Sequence, residues 1–329
     1  MIKIQNLTKN FGNVCVLNNV SFEIGKGEIV GFLGPNGAGK STTMNILTGF
    51  LSFTEGTVEV DGLDIFDFPD EAKKSIGYLP ETPPLYPEMT VREYLNFVYE
   101  LKKCTFDKKK HIDEILEVVK LTDVKNRVIG NLSKGYRQRI GIGQALIGNP
   151  KVIILDEPTV GLDPRQVVEI RNLIRTLGLT HTVILSSHIL QEVQALCDRV
   201  IVINRGRIVA DRKTEELSAA VEGTRRISVK ICGPEKDVLK ALRGMVGVVG
   251  AESLGNLDAD SVTYVLESES GIDIRKPLFS MLVRNNWPLI GLEASNVNLE
   301  DVFLTLIGNT SGNTSRKKRG SKKAPASKA

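Results

Sequence analysis

No stretch of this chain approaches the roughly 18 to 20 consecutive apolar residues that a membrane-spanning helix needs, so its 329 residues are expected to contain no span. Met1–Asn10 lacks the apolar core of a secretory signal. The four cysteines, Cys15, Cys104, Cys197 and Cys232, nowhere stand at C-x-x-C spacing. That disfavours a disulfide framework or a zinc site and fits reduced thiols in a cytosolic compartment. Acidic residues are missing after Thr310, where Arg316, Lys317, Lys318, Arg319, Lys322, Lys323 and Lys328 stand. The formal net charge of +4 is therefore a property of the tail: without those seven groups, 36 basic residues face 39 acidic ones, a net of −3. With no apolar residue there larger than alanine or proline, residues 309–329 are expected to be solvated and disordered.

What is present suits two domains, one large and one small, with 41% hydrophobic residues to build their cores. The large one is organised around a strand, Glu28–Leu33, a turn, Gly34-Pro35-Asn36-Gly37-Ala38-Gly39, and a helix from Lys40-Ser41-Thr42 to Leu51. The four fixed positions of G-x-x-x-x-G-K-[ST] fall on Gly34, Gly39, Lys40 and Ser41, in the strand-to-helix context that the pattern requires. Glycines at 34, 37 and 39 are expected to adopt backbone angles closed to other residues, turning successive N–H groups toward an anion at a helix N-terminus. Lys40 is expected to reach the β- and γ-phosphates of a nucleotide and Ser41 to ligate Mg²⁺.

Along the rest of this domain, Ile2–Leu7, Val20–Ile24 and Gly56–Gly62 alternate as half-buried antiparallel strands, and Phe11 precedes Gly12 between the first two. Phe11 is open to two readings, a core aromatic or a functional ring. Ile76–Leu79 reads as a buried strand, and Glu81 follows it among Pro80, Pro83, Pro84 and Pro87, which enforce an extended loop. Thr90–Glu93 is a capping box that opens a helical region reaching about Ile147. Lys151–Thr159 holds four aliphatics and then Asp156 and Glu157, a buried parallel strand delivering carboxylates at its C-terminal edge. Thr182–Ser187 ends likewise, at His188. The placement at a strand end turns His188 toward the site, whereas His111 and His181 read as structural.

Walker A at Gly34–Ser41 and Walker B at Val152–Glu157 mark a P-loop NTPase. Leu132-Ser133-Lys134-Gly135-Tyr136 ahead of Walker B, Gly161-Leu162-Asp163-Pro164 after it and His188 at the next strand end narrow the reading. In this set and order, residues 1–222 resemble the nucleotide-binding subunit of an ATP-binding-cassette (ABC) transporter. The resemblance implies an α/β fold of ABC type with an antiparallel β subdomain and a helical subdomain. It implies ATP and Mg²⁺, with Phe11 stacking on adenine, Asp156 holding the metal directly or through water, Glu157 as general base, and His188 at the γ-phosphate. Ser133 and Gly135 belong to the family signature, which completes the site of a second copy in a head-to-tail dimer, and Asp163 links the two sites. The sequence departs from the family where Lys134 and Tyr136 replace the commonest signature residues and where Glu81 stands for the usual glutamine near Mg²⁺. Both variants resemble exporters with separately encoded membrane subunits, of the drug, sodium or gliding-associated type.

Residues 223–308 read as β-α-β-β-α-β with an appended helix, Leu299–Leu306, which resembles a ferredoxin-like α+β module. No glycine fingerprint, metal-ligand spacing or nucleophile constellation occurs there, so a packing or regulatory role is expected. The functional expectation is an ATPase subunit, peripheral on the cytoplasmic face of the membrane, coupled to a transmembrane permease and probing anionic lipid with its tail; a purely solubilising tail is the plainer reading, and nucleic acid the weaker partner. The alternative is a soluble ABC ATPase acting on nucleic acid or ribosomes. It is disfavoured because no long coiled coil separates Lys40 from Asp156 and only one phosphate loop occurs. A GTPase switch is disfavoured by the lack of an Asn-Lys-x-Asp motif.

Overall fold

A computed structural model of the chain describes residues 1–216, 225–258, 261–269 and 272–296, in two compact units, Met1–Thr214 and Glu215–Ala329. The expected boundary near residue 222, the helix Leu299–Leu306 and the basic tail lie outside the described residues.

In the first unit an antiparallel sheet, ordered β2-β1-β4-β5, uses β1 (Ile2–Phe11), β2 (Val14–Ile24), β4 (Glu55–Val60) and β5 (Leu63–Asp64). Their alternation places Ile2, Ile4, Leu7, Val58 and Val60 inward. The first two strands run further than the alternation predicts, because β-bulges and the left-handed residues Asn6 and Asn19 let the ladder continue past its polar interruptions.

The second sheet is ordered β10-β9-β3-β8-β7-β6, from β3 (Ile29–Leu33), β6 (Ile76–Leu79), β7 (Val152–Asp156), β8 (Thr182–Ser187), β9 (Arg199–Asn204) and β10 (Arg207–Lys213). All its pairs are parallel except β10 with β9. Covered on both faces, β7 and β8 are buried at every residue, as their aliphatic runs require. One core joins the two sheets through α1 (Lys40–Leu47), with Phe22 and Phe32 ring centroids 5.5 Å apart.

Helices follow the strands: α2 (Pro69–Lys74), α3 (Val91–Leu101), α4 (Lys108–Val118), α5 (Lys134–Leu146), α6 (Pro164–Gly178) and α7 (Leu190–Leu196). The capping box at α3 is formed, with Thr90 and Glu93 satisfying each other's backbone N–H groups. Among the described residues, no helix is long and apolar enough to cross a membrane.

In the second unit β11 (Arg225–Ile231), α8 (Glu235–Arg243), β12 (Val248–Asp258), β13 (Ser261–Ser268), α9 (Arg275–Arg284) and β14 (Leu289–Asn296) follow the expected order. They form an antiparallel sheet, β12-β13-β11-β14. Ile227, Val229, Tyr264 and Leu266 pack with Val238, Leu242, Leu278 and Leu282 of the helices into a separate core.

The helix α5 lies so close to β6 that a Cβ on Gly77 would come 2.2 Å from the carbonyl oxygen of Ala145, whereas a Cβ on Gly143 would meet ordinary contacts from 3.4 Å outward. Gly77→Ala is expected to destabilise the first unit by about 1–3 kcal/mol through overpacking. Gly143→Ala, a helix-interior change with room to spare, should stabilise it by up to about 1 kcal/mol. Thermal melts followed by circular dichroism check the opposite signs.

Candidate functional site

Four loops leave one edge of the central sheet side by side because of its register. Leu33 pairs with Ser187, Asp156 with Ser186 and Leu79 with Leu155, so the segments that start at Gly34, Glu157, His188 and Pro80 share the carboxyl edge. Ligands of open α/β sheets bind at such an edge. A cavity of about 650 Å³ opens there. The glycine-rich loop and α1 contribute Asn36, Gly37, Gly39, Lys40, Ser41 and Thr42, and other strand ends contribute Glu81, Glu157 and His188. Val16 and Val160 complete the lining; neither carries a sequence signal beyond being apolar.

Gly37 and Gly39 have φ of +76° and +111°, as expected of the loop. Gly34 corrects the expectation, since its backbone is not left-handed. A Cβ there would instead lie 2.4 Å from the Ile203 carbonyl oxygen, so close approach to β9 is what demands glycine. Pro35 and Ala38 belong to the same loop but lie outside the lining, Ala38 being buried. Gly39 is the N-cap of α1 and no side chain caps the helix. Its first-turn N–H groups therefore lack intrahelical partners and present the positive end of the helix dipole.

The charged centre is compact. The Lys40 ammonium donates to the Gly34 carbonyl at 2.8 Å and lies 3.7 Å from Glu157 Oε1. That same oxygen is 2.9 Å from His188 Nδ1. Glu157 is only 7% exposed and holds a left-handed φ of 50°, a conformation that costs a non-glycine residue about 1 kcal/mol or more. Its N–H donates to the Ser186 carbonyl at 3.0 Å, and its second carboxylate oxygen, Oε2, is buried without a hydrogen-bond partner. Asp156 sits beneath the lining, buried, and accepts from the Ser186 hydroxyl. Burial, with the Asp156 charge added, pushes the Tyr78 phenol well above its ordinary value, so it stays protonated and donates to Asn45 Oδ1 at 3.3 Å.

The remaining expected residues lie outside the cavity lining. Phe11 ends β1, 47% exposed, with the Lys9 ammonium 4.9 Å from its ring centroid; the core-aromatic reading is thereby excluded. Ser133 is the exposed N-cap residue of α5, and its hydroxyl makes no cap hydrogen bond. Asp163 caps α6, accepting from the N–H groups of Arg165 and Gln166, both at 3.0 Å. The two helix starts touch: a Cβ on Gly135 would lie 2.5 Å from Gln166 Cδ, and one on Gly161 would lie 2.3 Å from the Lys134 ammonium. Ser133, Gly135 and Asp163 thus form a second constellation.

A family model for ABC transporters matches residues 17–160. The chain is 35% identical over 320 residues to the linearmycin resistance ATP-binding protein LnrL of Bacillus subtilis, covering 94% of this chain and 99% of that protein. The chain belongs to the ABC transporter ATP-binding subunits. It is also 33% identical over 310 residues to the bacitracin transport ATP-binding protein BcrA of Bacillus licheniformis, covering 94% and 97% of the two chains. A dimeric ATP-binding cassette solved in a post-hydrolysis state with ADP and phosphate matches with a TM-score of 0.59 and 30% identity, over 65% of this chain and 99% of that one. This ABC ATPase binds and hydrolyses ATP.

Proposed function

We propose that this ABC ATPase powers export through a separately encoded transmembrane permease, on the cytoplasmic face of the membrane, as a head-to-tail pair of copies. The relatives named for linearmycin resistance and bacitracin transport support export. The observation that carries the chemistry is the buried, unpartnered Oε2 of Glu157 beside an uncapped helix N-terminus.

With ATP in the cavity, the first-turn N–H groups of α1 and the glycine-rich loop cradle the phosphates, and Lys40 exchanges the Gly34 carbonyl for phosphate oxygens. A hydroxyl from Ser41 and carboxylates from Glu81 and Asp156 form an all-oxygen donor set that fits Mg²⁺, with Asp156 acting from beneath. When bound, Mg²⁺ neutralises charge on the β- and γ-phosphates. Glu157 Oε2 accepts the proton of the attacking water, while His188 holds the carboxylate through Oε1 and meets the γ-phosphate. Phe11 stacks on adenine with the ring face that Lys9 leaves open. Ser133 and Gly135 serve the cavity of the other copy, and Asp163 joins the two sites. Residues 223–308 serve as an accessory module, and the basic groups after Thr310 add attraction to anionic lipid beside the permease, about 1 kcal/mol for each group near the surface.

Glu157→Gln keeps the shape and removes the base, so turnover should fall by ~10² to 10⁴-fold while ATP still binds; near-normal phosphate release by this variant would remove Glu157 from the role. For the pairing in trans, a Lys40→Ala chain mixed with a Ser133→Arg chain should regain activity, because one of the two dimer sites then has intact residues from both copies. Mixtures no more active than either variant alone would exclude independent sites shared between copies.

A further inference from the structure

Beside the cavity lies a buried carboxylate to which the mechanism above gives no part. Glu192, in the first turn of α7, is 7% exposed. Its Oε2 accepts from the Thr159 hydroxyl at 2.6 Å and from the Ser187 hydroxyl at 3.4 Å. Its Oε1 lies 3.9 Å from the Arg171 guanidinium of α6. Thr159 stands two residues after Glu157, and Ser187 immediately precedes His188. One oxygen of Glu192 therefore ties together the two segments whose catalytic side chains meet at 2.9 Å.

We propose that Glu192 is a positioning residue that fixes the Glu157 loop against the His188 loop and so sets the alignment of base and histidine. The inference rests on the roles given above to Glu157 and His188. Without Glu192, the hydrogen bonds left between the two segments among the described residues, beyond the strand ladder, are the Glu157 N–H to the Ser186 carbonyl, the Ser186 hydroxyl to Asp156, and the His188–Glu157 contact itself. Those bonds act at the strand ends; the Glu192 bond to Thr159 acts beyond Glu157, on the far side of its strained backbone. Ser187 is itself oriented from two sides, accepting from the Ile189 N–H at 3.1 Å while donating to Glu192. Two hydroxyl donors on a single carboxylate oxygen make the acceptor, rather than the charge, the feature that matters. A glutamine can present its carbonyl oxygen in the same place, and alanine cannot.

The experiment is a double-mutant cycle on the full chain, reading kcat and KM for ATP together with melting temperature. Glu192→Ala should lower kcat by roughly 10- to 100-fold, the cost of an ångström-scale misplacement of a reacting group, with KM changed by less than about threefold because the phosphate loop is untouched. Glu192→Gln should recover most of that loss. In a His188→Ala background, where no alignment remains to protect, Glu192→Ala should lower kcat by less than about threefold. A purely architectural role gives the opposite pattern: equal losses in both backgrounds, or a glutamine variant as impaired as alanine, overturns the proposal. Unchanged kcat in Glu192→Ala alone overturns it too. If His188→Ala itself keeps the wild-type rate, the catalytic reading of His188 fails first, and that result is distinct from the others. The Thr159→Val variant, which removes one donor while leaving Glu192 in place, should reproduce the kcat loss even if Glu192→Ala proves too unstable to assay, and a wild-type rate in it would also overturn the proposal.

Discussion

A single carboxylate oxygen, Glu157 Oε1, faces both the Lys40 ammonium and the His188 ring. Glu157 and His188 directly follow β7 and β8, Lys40 opens the helix after the loop that leaves β3, and what brings them together is the parallel register of β3, β8 and β7. Burying Lys40 and Glu157 is unfavourable unless each is compensated, and removing one partner of such a pair leaves an uncompensated charge inside. The sheet, its two-sided aliphatic cover and the glycines that let the loops approach are the means of holding these charges where nucleotide phosphates can join them. The left-handed backbone of Glu157 places local strain at the residue given the chemical step.

The parts of the site that lie within a contiguous pattern are legible in the sequence. The stretch from Gly34 to Thr42 announces itself through glycine spacing and a strand-to-helix switch. The aliphatic run ending in Asp156 and Glu157 announces a buried strand with acids at its edge. His188 is placed by analogy of position, and the parallel register sets it at the same sheet edge as Glu157, with Nδ1 2.9 Å from Oε1. The second unit's β-α-β-β-α-β order was likewise readable from alternation and amphipathic spacing, because its strands are half-buried and its helices short but regular.

What escaped the sequence depends on contacts between distant segments. The need for glycine at position 34 arises from the carbonyl of Ile203, far along the chain, so local backbone reasoning assigned it the wrong cause. Lys9 and Phe11 stand two residues apart in β1, and the approach of the ammonium to within 4.9 Å of the ring centroid is a side-chain arrangement that alternation alone does not reveal. The helix α7 is only seven residues long, too short for periodicity to show, and Glu192 within it reads as an ordinary surface acid. Its burial follows from Thr159 and Ser187, each delivered by a different strand.

The first-unit cavity is well formed around the phosphate loop, while Ser133, Gly135 and Asp163 lie outside its lining. On this account the cavity is half of a site, completed by the signature of another copy only when ATP is present. The most direct measurement is the mass of the Glu157→Gln chain by light scattering, in Mg-ATP and in Mg-ADP. The account expects two chains per particle with ATP, whose hydrolysis is blocked, and one chain with ADP. A single-chain mass under both conditions, with ATP binding demonstrated in the same sample, would contradict it.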